Sequence, residues 1–219
     1  MNLLFSTLGR KIQVAISGIC LTIFLFFHLA NNLVLFSGAQ NFNEMVYFLE
    51  SIKPLIRIME FSLLFILILH TANAIYLTIQ NKKKKFKNYE HNAANEVSTL
   101  NSRTMAISGT IILIFLLIHL FYIWGTFQAH SFYENETYYD VLLRKDFGYL
   151  NNKITAIFYF IAILFIGYHL KHGFQSSLKT FGILNSDSRI LSAVGFLFWG
   201  LVPLGFVMII ISIHLGIIH

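Results

Sequence analysis

Five stretches of the chain, near residues 12–36, 58–80, 104–127, 154–176 and 190–216, are each apolar over at least the roughly 20 residues that a helix needs to cross a bilayer. Hydrocarbon offers no water to backbone N–H and C=O groups, so a spanning run of this kind has to satisfy them within itself, as an α-helix does. Composition agrees: of 219 residues 56% are hydrophobic and only 12% charged, against roughly 25% charged in soluble domains. One soluble core of this size does not hide so much apolar surface. The first run has no small-residue cleavage site after a short apolar core, so it is expected to stay as a span. The fold class expected is all-α, an integral membrane bundle of five transmembrane helices, with residues 1–219 forming one membrane domain.

Charge sets the orientation. The net charge of +6 is not spread as a nucleic-acid surface. Lys82, Lys83, Lys84, Lys85 and Lys87 follow the second run directly, and cytoplasmic loops carry the excess of Lys and Arg. Alternating from there places Arg10, Lys11, Arg103, Lys171, Lys179 and Arg189 on the same side. Lys53, Arg57, Arg144, Lys145 and Lys153 fall on the other, with Glu44, Glu50, Glu60, Glu134, Glu136, Asp140 and Asp146. The expectation is a cytoplasmic N-terminus and an external C-terminus. A lipid-binding patch is the competing use of the lysine run.

The motifs of soluble enzymes are missing. Cys20 is the one cysteine, so there is no disulfide framework, zinc ribbon or iron–sulfur ligand set. No GxGxxG, Walker loop or HExxH occurs, and without CxxCH any haem would be held non-covalently.

What remains is histidine, and it repeats. Residues 15–29 read AISGICLTIFLFFHL and residues 106–120 read AISGTIILIFLLIHL, identical at nine of fifteen positions, with His28 and His119 each ten residues after a glycine. Repetition at this length points to a shared local job. His70 and His169 lie within the second and fourth runs. His172 is one turn beyond His169, His214 lies near the end of the last run, and His91, His130 and His219 read as solvated. A single intramembrane histidine is explained equally well by an interhelical hydrogen bond, but ionisable groups in hydrocarbon are costly and mark function. One on each of four successive spans is a far more specific pattern.

Depth sorts the four into pairs. At about 1.5 Å per residue, His28 and His119 lie roughly 24 and 23 Å from the cytoplasmic starts of their helices, on the outer side of the midplane. His70 and His169 lie roughly 10–15 Å from the cytoplasmic ends of theirs, on the inner side. Two facing imidazoles at one level can hold a haem iron between them, so two levels would stack two haems. Small residues fit beside a flat porphyrin: Ser17 and Ser108 lie eleven residues before His28 and His119 on nearly the same helical face, and Ala74 and Gly173 lie four residues after His70 and His169. Helix packing in membranes also uses small residues.

The segments GYHLKHGFQSSLKTFG (167–182), GTIILIFLLIHLFYIW (109–124), FLFFHLANNLVLF (24–36) with FNEMVYFLES (42–51), and LILHTANAIYL (67–77) resemble, in order and over nearly the whole chain, the single-chain dihaem cytochrome b anchor of bacterial succinate dehydrogenases and fumarate reductases. The resemblance implies bis-histidine ligation of two b-type haems, the outer by His28 and His119 and the inner by His70 and His169. His169, Gly173 and Gly182 match the family spacing; His172 does not, and stays the competing position one turn away. It further implies an FAD flavoprotein subunit and an iron–sulfur subunit on the cytoplasmic face of a bacterial cytoplasmic membrane, exchanging electrons with quinone, menaquinone in most members. Dicarboxylate chemistry would belong to the flavoprotein partner. Glu50 falls where the family carries a quinone-site carboxylate, and an exposed interfacial carboxylate is the competing reading. Lys179 and Arg189 suit haem propionates and orientation equally. Two other functions stay open: a haem b anchor of another respiratory dehydrogenase, and a cofactor-free transporter or proton channel whose histidines relay protons.

Overall fold

The computed structural model describes residues 5–88, 97–183 and 189–219, and the side chains among them except those of 84–88 and 97–103. The charge assignments of Lys84, Lys85, Lys87 and Arg103 and the reading of His91 lie outside the described residues. All regular structure among the described residues is helical: α1 (Thr7–Leu33), α2 (Ala39–Ser51), α3 (Lys53–Asn88), α4 (Val97–His119), α5 (Gly125–Ala129), α6 (Tyr138–Leu142), α7 (Lys153–Thr180), α8 (Arg189–Phe196) and α9 (Val202–His214). Five stretches are long and apolar enough to cross a membrane: Thr7–Ser37, Lys53–Lys83, Thr104–Ala129, Lys153–Thr180 and Arg189–His214. They follow the expected order. Large apolar side chains such as Phe61, Phe65 and Phe121 stand outward on them, as lipid-facing positions do.

Local chemistry explains where the helices begin and bend. Ser6 caps α1 by accepting from the Gly9 N–H at 3.0 Å, and Asn152 caps α7 by accepting from Ile154 and Thr155; each satisfies donors that a helix start leaves free. The first span runs past α1 through a 3₁₀ turn, Val34–Ser37, and stops at Gly38, whose φ of +92° suits glycine alone. Two π-turns interrupt spans, Leu120–Trp124 directly after His119 and Leu197–Leu201 before α9. Proline explains the second: Pro203 has no N–H for the Trp199 carbonyl, and its ring crowds that oxygen. Gly167 of α7 leaves room for the displaced carbonyl, since a Cβ there would lie 3.1 Å from it.

Packing is arranged around α1, which lies against α3, α7 and α9, while α4 packs on α7 and barely meets α3. At Gly205 of α9 a Cβ would come within 2.8 Å of Leu29 Cδ2, so α1 and α9 approach closely at a glycine, as membrane helices often do. The bundle has two unlike ends. Arg10, Lys11, Lys82, Lys179 and Arg189 lie at the basic end, where α1 and α8 start and α3 and α7 finish. The other end is capped by α2, α6 and the segment between α5 and α7. Neither α2 nor α6 is foreseen by the five apolar runs.

The cap is tied by polar groups. A capping box joins Thr137 and Asp140 at the start of α6, and the Tyr139 N–H donates to Asn43 Oδ1 of α2 at 3.0 Å. Arg144, nearly buried, donates to Glu136 Oε1 at 2.7 Å and again to Glu136 Oε2, to the Ser131 carbonyl at 2.8 Å and to the Tyr149 hydroxyl at 2.9 Å. Those bonds hold the Glu136 carboxyl below its usual range and raise Arg144 above its own.

Candidate functional site

Helix packing brings the four membrane histidines together two by two. His28 of α1 faces His119 at the end of α4 with ring centroids 5.8 Å apart. His70 of α3 faces His169 of α7 at 6.4 Å. First pairs with third span and second with fourth, the combination that depth suggests. His172 takes no part: its ring packs on Tyr168 of its own helix at 4.6 Å. His130, His214 and His219 are exposed.

A cavity of about 2830 Å³ runs along the bundle and is lined by all four histidines, far above the roughly 300–1,000 Å³ of an ordinary ligand pocket. A metal–imidazole bond of about 2.0–2.1 Å on either side puts two trans ring centroids about 6 Å apart, close to both observed separations. Ala74 and Gly173 line the cavity a turn after His70 and His169, and a Cβ added at Gly173 would meet nothing within 4 Å. Open space therefore lies beside His169. His28 with His119, and His70 with His169, are the residues that could hold a metal cofactor between them.

The surroundings of the two pairs differ. Around the pair nearer the cap the neighbours are mainly aromatic: Phe24 stacks on His28 at 5.5 Å and Phe115 on His119 at 5.6 Å, with the Asn32 amide nitrogen 3.5 Å from His28 Nε2. Tyr159 brings its hydroxyl within 3.3 Å of His119 Nδ1. Around the pair nearer the basic end the neighbours are hydroxyls. Ser17 Oγ lies 3.0 Å from His70 Nδ1 and Ser108 Oγ 3.1 Å from His169 Nδ1. The repeated serines thus contact histidines of the other level, across helices, rather than standing beside His28 and His119. Their neighbouring glycines do likewise, since a Cβ on Gly18 or Gly109 would lie 3.3 Å from His70 Cε1 or 3.6 Å from His169 Cε1.

Both mouths of the cavity are polar. At the basic end Lys11, Lys82 and Lys179 line it. Beside it Arg10 donates to Asn73 Oδ1 and Asn73 to Gln13 Oε1, both at 2.8 Å, with Arg10 lying 4.0 Å over the Tyr76 ring. Asn73 is 3% exposed and one turn from His70; an asparagine inside an apolar run is the signal that would have found it. Toward the cap, Glu50 lines the cavity and accepts from Lys53 at 2.7 Å. A second carboxylate stands there as well. Glu60 of α3 accepts from Arg57 at 2.6 Å and from Trp124 Nε1 at 2.9 Å, and Arg57 also donates to Gln128. This clasp bridges α3 to the α4–α5 segment where their helices hardly touch. Sequence reading assigned Glu60 only a side of the membrane.

No curated protein and no solved structure matches the chain. Residues 12–101, from α1 into the first turns of α4, match the family model described as succinate dehydrogenase/fumarate reductase transmembrane subunit.

Proposed function

We propose that the chain is the dihaem cytochrome b anchor of a succinate:quinone oxidoreductase, relaying electrons between its soluble subunits and membrane quinone. The observation that carries this reading is the facing of His28 with His119 and of His70 with His169, both near the trans-imidazole spacing, along one cavity. Two b-type haems held there would supply one-electron redox chemistry, which the protein side chains lack. The chain's own part is position and electrostatics. Four neutral imidazoles offer nitrogen ligands, aromatic rings keep water from the pair near the cap, and Lys11, Lys82 and Lys179 put positive charge where acidic cofactor substituents would emerge.

The basic end is the cytoplasmic one by the positive-inside argument, in a bacterial cytoplasmic membrane. An FAD flavoprotein and an iron–sulfur subunit dock there, and dicarboxylate chemistry is theirs. Quinone, menaquinone by the family resemblance, meets the chain toward the cap, where the Glu50 carboxylate on the cavity wall gives or takes the accompanying proton. Lys53 orients that carboxylate.

A pyridine haemochrome assay on purified protein tests the reading. Two haem b per chain are expected, low-spin and unreactive with carbon monoxide, because each iron has two imidazoles. A ratio near one would remove one pair. Absence of a Soret band would leave the histidines to a proton relay.

A further inference from the structure

We infer that Ser17 and Ser108 are positioning residues for the inner pair: each accepts a hydrogen bond from Nδ1–H of His70 or His169, which fixes the tautomer that leaves Nε2 free as a ligand and raises the basicity of that nitrogen. The inference rests on the haem reading above.

A serine hydroxyl has one hydrogen and two acceptor lone pairs. Ser17 Oγ donates to the Gln13 carbonyl at 2.6 Å, with the Val14 carbonyl 3.2 Å away. Its hydrogen is therefore spent on its own helix. The remaining contact, to His70 Nδ1 at 3.0 Å, has to be an acceptance, so Nδ1 carries the proton. In a neutral imidazole the other nitrogen is then unprotonated, and only that nitrogen can bind iron. Ser108 repeats the arrangement 91 residues on, donating to the Met105 carbonyl at 3.1 Å and meeting His169 Nδ1 at 3.1 Å. The Val14 carbonyl is a further hydrogen-bond partner of the His70 ring. Ser17 is 4% exposed and Ser108 fully buried, which keeps competing water away.

This also explains why AISG recurs together with its histidine. Each repeat supplies a ligand to the outer level, His28 or His119, and a support to the inner one. Supports of this kind orient a metal-bound histidine and increase its basicity, and a more basic ligand favours the ferric state.

The test is a redox titration of the haem-loaded complex with electron paramagnetic resonance of the ferric signals. The inner component is the one that His70→Leu removes. Ser17→Ala should raise its midpoint potential and broaden its ferric signal, Ser108→Ala should do the same, and the outer component should stay in place. Ser17→Thr keeps the hydroxyl and should titrate like wild type, as should Ser62→Ala, which removes an exposed hydroxyl bonded only to its own helix. If Ser17→Ala loses the inner haem while Ser17→Thr keeps it, the positioning role stands. Two haems with an unmoved inner potential in both alanine variants would overturn it, as would equal effects of Ala and Thr. A wild-type complex without haem would instead sink the reading on which the inference rests.

Discussion

Glu50 carries the quinone assignment as a single side chain. Its carboxylate is half-exposed, bonded to Lys53 and set on the wall of the cavity that the four histidines line. Because it holds no cofactor, Glu50→Gln should cut quinone-linked turnover about a hundredfold or more, in the range of a lost general acid–base. Both haems and succinate oxidation with artificial acceptors should survive. Assay of the two activities on one preparation checks this, and unchanged quinone turnover would return Glu50 to the interfacial carboxylates. Histidine stood out at this scale for a simple reason: a costly group carried on each of four apolar runs, at two depths, has few bland explanations. The serines were half legible. Helical periodicity gives the face that a residue shares on its own helix, and so placed Ser17 with His28. It says nothing of which neighbouring helix that face meets, and Ser17 meets His70.

At the scale of elements, hydrophobic run length located five spans within a few residues but was blind to the cap. Thirteen residues of α2 and five of α6 lie below any spanning length; they bury Phe42, Val46, Tyr138, Tyr139, Val141 and Leu142 in the core, with polar ties through Asn43, Thr137, Asp140 and Arg144. The π-turn at Leu197–Leu201 had a visible cause in Pro203, whereas nothing comparable marks the one after His119. The cap gives a sharp stability test at Gly148. Its φ is +100°, its N–H donates to Thr155 Oγ1 at 2.8 Å, and a Cβ there would fall 2.1 Å from Tyr122 Cγ. Tyr122 is itself wedged between Phe147 and Tyr149. Gly148→Ala therefore combines backbone strain, about 1–3 kcal/mol for such a conformation, with an overpacked ring, about 1–3 kcal/mol more. Thermal unfolding in detergent should show a clear fall in midpoint. An unchanged midpoint would mean that the cap does not pack as described.

For the whole molecule, the organising fact is the crossing of sequence order and spatial order. Spans one and three run the same way and bring His28 and His119 to the level nearer the cap; spans two and four run back and bring His70 and His169 to the basic level. Helix packing puts His28 opposite His119 and His70 opposite His169. Transfer outward between the levels would then feel the membrane potential, at most about 2.3 kcal/mol per electron per 100 mV for a full crossing and less for part of one. The most direct test replaces each of the four histidines by leucine in turn and records reduced-minus-oxidised spectra of the purified complex. His28→Leu and His119→Leu should delete the same spectral component, and His70→Leu and His169→Leu the other. If His28→Leu and His70→Leu remove the same haem, the two-level account is wrong.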